Sequence, residues 1–200
     1  GHIPGARQVM RFKDLGDNDA DPLMRFPSKD AFQATLRRWG VDDDATLVLY
    51  DDANTALASR LYFLLALYGF PAEQVKVLDG GTVDWSAFEE MSREPAAPPE
   101  PGSVTLKDAE PDLYVEWTAV YDDVVSRGDP DVVLLDARPR DMYTGEVIRH
   151  SIQGGHIPGA VNVVSLDGTD GQTQRWRDDA HLVAMYADIP KDKTVYVYCH

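Results

Sequence analysis

The chain has 200 residues, 44% of them hydrophobic, 10% aromatic and 26% charged. That is ordinary globular composition and excludes disordered, collagen-like and coiled-coil classes. Its net charge of −15, spread evenly as −7 and −8 over the two halves, opposes nucleic acid and anionic lipid as partners, because both recruit clustered Lys and Arg. A single cysteine, Cys199, excludes an internal disulfide and an all-cysteine zinc site.

In chain order, the hexapeptide Gly1-His2-Ile3-Pro4-Gly5-Ala6 comes first and returns verbatim as Gly155-His156-Ile157-Pro158-Gly159-Ala160. Each copy is followed by an apolar run that ends on a polar residue. Thr46-Leu47-Val48-Leu49-Tyr50 leads to Asp51, and Thr194-Val195-Tyr196-Val197-Tyr198 leads to Cys199. Two homologous halves account for this economically. The Pro- and Glu-rich stretch over residues 94–102 reads as the linker, which gives domains over 1–93 and 103–200. Both ends of the chain fall inside repeat units. The expectation is therefore an excerpt of a longer chain, or one fragment of a cleaved one whose second fragment completes it. No apolar run is long enough to span a bilayer, and the compartment stays open between cytoplasm and periplasm.

Short apolar runs at 46–50, 75–78, 132–135 and 195–198 predict strands buried on both faces. Helical spacing over 29–39, 56–68, 117–126 and 180–186 predicts the helices between them. Alternation of the two predicts an α/β fold, each domain a mainly parallel sheet flanked by helices, with ligand sites at the carboxyl ends of strands. Asp51 and Cys199 stand at such ends. A thiol there meets a turn whose successive N–H groups can form an anion-binding nest, which favours the thiolate. The alternative is a small buried hydrophobe. Trp39, Trp85 and Trp117 read as core or interface anchors. Asp42-Asp43-Asp44 reads as a solvated turn, and residues 14–21 as an acidic surface loop in which the Gly and closing Glu are wrongly placed for a calcium site.

The motifs together resemble the tandem-domain rhodanese family, which includes thiosulfate and 3-mercaptopyruvate sulfurtransferases. The two hexapeptides are similar to its G-H-I-P-G-A signature. Val77-Leu78-Asp79-Gly80-Gly81 with Trp85 is similar to its closing motif, and Leu135-Asp136-Ala137-Arg138 with Tyr143, Gly145 and Glu146 to its opening motif. The resemblance implies two rhodanese-like domains, the first catalytically silent with Asp51 in place of the nucleophile, the second carrying Cys199. It further implies sulfur transfer through a Cys199 persulfide, from thiosulfate or 3-mercaptopyruvate to cyanide or a thiol. No cofactor and no metal are expected.

The donors are anions, so the acidic chain needs a local cation. The candidates are Arg149, at the position of the family's substrate-clamping arginine, His200 beside the nucleophile, and Arg138. For Arg138 a structural salt bridge at the strand end is the stronger reading. A second clamping arginine would fall on Met142, a departure from the family pattern. His156 reads as a turn-fixing residue, and His2 as either that or a proton relay. Tyr198, rather than His, before Cys199 argues against a phosphatase-like or arsenate-reducing relative. A non-catalytic binding or sulfur-carrier module is the remaining alternative.

Overall fold

The computed structural model describes residues 1–17, 25–149 and 152–199. Its contacts divide the chain into Gly1–Leu113 with Gln172–Arg175, and Tyr114–Gly171 with Trp176–His200. The first unit runs through α1 (Arg11–Asp14), α2 (Lys29–Arg38), β1 (Leu47–Leu49), α3 (Ala56–Leu67), a 3-10 turn at Ala72–Gln74, β2 (Val75–Val77) and α4 (Gly81–Phe88). Helix α2 forms where the sequence places it because Ser28 caps it, its hydroxyl accepting the Ala31 amide at 3.3 Å. Asp30 in its first turn and Arg37 and Arg38 in its last suit the helix dipole. Its i, i+4 pair Phe32 and Leu36 is fully buried and joins Leu64, Leu65 and Leu15 in the core. Strands β1 and β2 pair in parallel, Leu47 opposite Val75 and Leu49 opposite Val77, and α3 lies against both.

The first unit continues past the stretch read as linker, to Leu113. Val104 and Leu106 are 1% and 6% exposed within its core. Backbone ties hold the same stretch: the Gly102 amide donates to the Arg37 carbonyl at 2.8 Å and Val104 to Val41 at 3.1 Å. A hydrophobic pair at i, i+2 on an extended strap carries no helical periodicity, so it reads as linker until its burial is known. Asp42 and Asp43 hold the same stretch. They are exposed yet not merely solvated: Asp42 accepts the Ser103 amide and hydroxyl, each at 2.7 Å, and Asp43 accepts the Thr105 amide at 2.7 Å.

The second unit holds α5 (Trp117–Val120), which widens into a π-turn over Tyr121–Ser126, then β3 (Val132–Asp136), α6 (Arg140–Thr144), β4 (Val161–Asn162), a 3-10 turn at Ser165–Gly168, α7 (Asp179–Met185) and β5 (Thr194–Tyr198). The sheet order is β4-β3-β5, every pairing parallel. Parallel α/β architecture is thus as the sequence predicts, whereas burial on both faces is not. Val48, Val195 and Val197 are 59%, 38% and 62% exposed. By the repeat Val197 corresponds to Leu49, which is 8% exposed on a strand that lies against α3. Trp117, read as an anchor, is 69% exposed. The widened turn at 121–126 places Asp123 where it accepts the Tyr196 hydroxyl of β5 at 2.8 Å.

The Ser103 hydroxyl and amide hold the Asp42 carboxyl below its usual value of 3.8. A carboxyl lowered in the fold secures the strap fully above the ordinary carboxylate range and releases it as pH falls through the folded value. In an NMR titration, the Ser103 amide of the wild-type chain should therefore shift with a midpoint below 3.8. In Asp42→Asn that transition should be missing.

Candidate active site

Each hexapeptide folds into the turn its residues dictate. Pro4 and Pro158 stand second and Gly5 and Gly159 third, at φ +80° and +88°, the left-handed position of a type II turn. The Ala6 amide donates to the Ile3 carbonyl and the Ala160 amide to the Ile157 carbonyl, both at 3.0 Å. Both turns are tied to a strand tip in the same way. The Ile3 amide donates to the Tyr50 hydroxyl at 3.0 Å, and the Ile157 amide to the Tyr198 hydroxyl at 3.1 Å. These tyrosines immediately precede Asp51 and Cys199.

In the first unit, Asp51 closes its own loop. One carboxylate oxygen accepts the Ala53 and Thr55 amides at 2.9 and 3.0 Å, the other the Leu57 and Ala58 amides at 2.7 and 2.8 Å. The second pair belongs to the first turn of α3, where a negative charge meets the positive helix end. The Asp51 carbonyl accepts the Thr82 amide at 3.1 Å. This approach explains the double glycine, because a Cβ on Gly81, already at φ +51°, would lie 2.2 Å from that oxygen.

In the second unit, β3 ends on Asp136, which is fully buried. Its Oδ1 accepts Arg138 N and Nε, both at 2.9 Å, and its Oδ2 accepts Arg138 Nη2 at 2.6 Å and the Tyr198 hydroxyl at 2.6 Å. Arg138 Nη2 also donates to the Gly155 carbonyl at 2.8 Å, at the start of the signature. Burial pushes the Asp136 carboxyl up, but the hydrogen bonds from Arg138 and Tyr198 outweigh it and the net shift is downward. The Asp136 hydrogen bond raises Arg138 in turn. Burial, reinforced by its bond to Asp136, pushes the Tyr198 phenol up to about 12. Removing one partner of so buried a pair costs about 3–5 kcal/mol.

Cys199 follows Tyr198 directly and is exposed at the tip of β5. Arg149 is exposed on the segment after α6. Arg138 is 8% exposed, with the donors named above turned to Asp136 and Gly155. His200 lies outside the described residues, as do most of the acidic loop residues after Asp17. His2 sets Nδ1 3.0 Å from the Ile3 carbonyl and Nε2 2.8 Å from the Glu94 carbonyl. His156 donates from Nδ1 to the Tyr143 carbonyl at 2.9 Å and stacks on the Tyr143 ring at 3.8 Å. Met142, where a second clamping arginine would fall, is 2% exposed. Sequence reasoning passed over Tyr50 and Tyr198 as site residues. The available signal was that the residue before the polar strand tip is tyrosine in both copies.

A family model described as Rhodanese-like domain matches residues 1–88 and 122–200. The thiosulfate sulfurtransferase of Azotobacter vinelandii is 34% identical over 203 residues, spanning 100% of this chain and 71% of that protein. SseB of Mycobacterium tuberculosis is 35% identical over 167 residues, 82% of this chain and 57% of SseB. The chain thus spans little more than half the length of SseB. Among solved structures, SseA from Escherichia coli, described with the 3-mercaptopyruvate sulfotransferases, superposes with a TM-score of 0.83 at 27% identity. That match covers 98% of this chain and 72% of SseA.

Four amides converge on the Asp51 carboxylate, so its removal leaves donors that only water can satisfy. Asp51→Ala should cost about 2 kcal/mol of stability in chemical denaturation, and Asp51→Asn less, since one acceptor oxygen remains.

Proposed function

Because the chain belongs to the rhodanese-like family, we propose that it carries out sulfur transfer, with Cys199 holding the sulfur as a persulfide. The observation that carries this reading is the pairing of Asp51 and Cys199 at equivalent strand tips. In the first copy a carboxylate already satisfies the loop amides. In the second the corresponding residue is the chain's only thiol, and it is exposed. The first half is then silent and the second reactive.

In the first step the Cys199 thiolate attacks the outer sulfur of thiosulfate. A new S–S bond forms, the donor's S–S bond breaks, and its electron pair leaves with sulfite. With 3-mercaptopyruvate a C–S bond breaks instead, and the carbon takes up a proton to give pyruvate. In the second step the terminal persulfide sulfur passes to cyanide as thiocyanate, or to a thiol acceptor, and the Cys199 thiolate is restored.

Both donors are anions approaching a chain of net charge −15. In this proposal Arg149, exposed and downstream of α6, meets the donor. His200 assists beside the nucleophile. Arg138 acts through the frame rather than on the donor, because its partners are Asp136 and Gly155. A relay role for His2 competes with its two carbonyl contacts, and an unchanged pH dependence of transfer in His2→Asn would exclude it.

The test is intact-mass analysis after exposure to thiosulfate or 3-mercaptopyruvate. Cys199 should gain about 32 Da and lose it to cyanide with thiocyanate formed, while Cys199→Ser gains nothing. Uptake from neither donor would overturn the proposal. Arg149→Ala should raise KM for thiosulfate by about tenfold and leave kcat nearly unchanged.

A further inference from the structure

The residue that precedes the thiol is held more firmly than the thiol's own position at an exposed strand tip requires. Tyr198 is fixed at both its backbone and its side chain. Its carbonyl accepts the Ala137 amide at 2.9 Å, and it stands opposite Asp136 in the β3–β5 register. Its hydroxyl donates to Asp136 Oδ2 at 2.6 Å and accepts from the Ile157 amide at 3.1 Å. The Arg138 guanidinium carbon lies 5.5 Å from the centre of its ring. One side chain therefore joins the tip of β3, the signature turn and the last strand residue before Cys199.

The silent half supplies an internal control. Tyr50 makes the same bond to the signature turn, through the Ile3 amide. The bond shared by both halves serves the fold. In the second half the same hydroxyl also reaches the Asp136–Arg138 pair.

We propose that Tyr198 is a positioning residue for sulfur transfer: locked between Asp136 and the Ile157 amide, it sets the backbone from which Cys199 projects, and with it the line along which the thiolate meets the donor sulfur. In-line attack is sensitive to such placement, since a displacement of about 1 Å can cost orders of magnitude in rate. The inference rests on the reading of Cys199 as nucleophile.

The experiment compares Tyr198→Phe with Tyr50→Phe in the intact chain, below the melting temperature of each. Each substitution deletes one hydroxyl that accepts an isoleucine amide, and Tyr198→Phe also removes the donor to buried Asp136, so both should lower Tm and Tyr198→Phe the more. Tyr198→Phe should also lower kcat for thiosulfate by about tenfold and change KM less than about twofold. Tyr50→Phe should turn over at the wild-type rate. Asp136→Asn, which keeps the shape and an acceptor oxygen, should reproduce the loss of kcat should Tyr198→Phe not fold.

A folded Tyr198→Phe or Asp136→Asn that turns over at the wild-type rate overturns the proposal, as does an equal loss of kcat in Tyr50→Phe. Failure of both Tyr198→Phe and Asp136→Asn to fold also overturns it, since the tether is then a requirement of the fold. Absence of any sulfur adduct on wild-type Cys199 is a different result, which overturns the reading of the nucleophile.

Discussion

In both halves of the chain, a tyrosine hydroxyl at a strand tip accepts the amide of the isoleucine in the signature turn. The bond spans 47 residues in one copy and 41 in the other, so it ties two distant stretches of each copy at a single point. The turn can offer that amide because Pro and Gly shape the residues that follow it. The strand can offer the hydroxyl because tyrosine carries its polar end beyond the apolar ladder. What differs between the halves is the residue that comes next.

That difference is chemical rather than architectural. Asp51 turns back on its loop and satisfies four amides with two oxygens, so the charge that such a loop attracts is supplied by the chain itself. Cys199 stands exposed on a strand whose preceding residue is anchored to a buried ion pair. A buried pair of this kind is weak evidence for stability, because desolvation offsets much of its attraction. Its geometry is better suited to specifying position. One carboxylate collects the backbone amide and guanidinium of Arg138 and the phenol of Tyr198, and so joins the end of β3 to the end of β5.

The strap that ends the first unit shows the same economy. Residues that read as a linker and as a solvated acidic turn hold one another: Asp42 and Asp43 accept amides that an extended segment would otherwise leave to water, while Val104 and Leu106 bury beneath it. Carboxylates here take the role that a neighbouring strand's carbonyls take in a sheet.

The repeat, the parallel α/β class, the strands other than β4 and most of the helices were legible in the sequence, because period and punctuation are local properties of the backbone. So was the equivalence of Asp51 and Cys199, which needs only the alignment of one half on the other. The Gly80-Gly81 pair was visible as a motif, but its reason, the approach of the Asp51 carbonyl, was not. Only the tertiary structure assigned 103–113 to the first unit, exposed Trp117 and joined Tyr198 to the Arg138–Asp136 pair, whose salt bridge was itself expected from the sequence. These depend on which surfaces meet across tens of residues. No sequence period encodes that, and burial alone decides whether a polar residue finds water or another part of the chain.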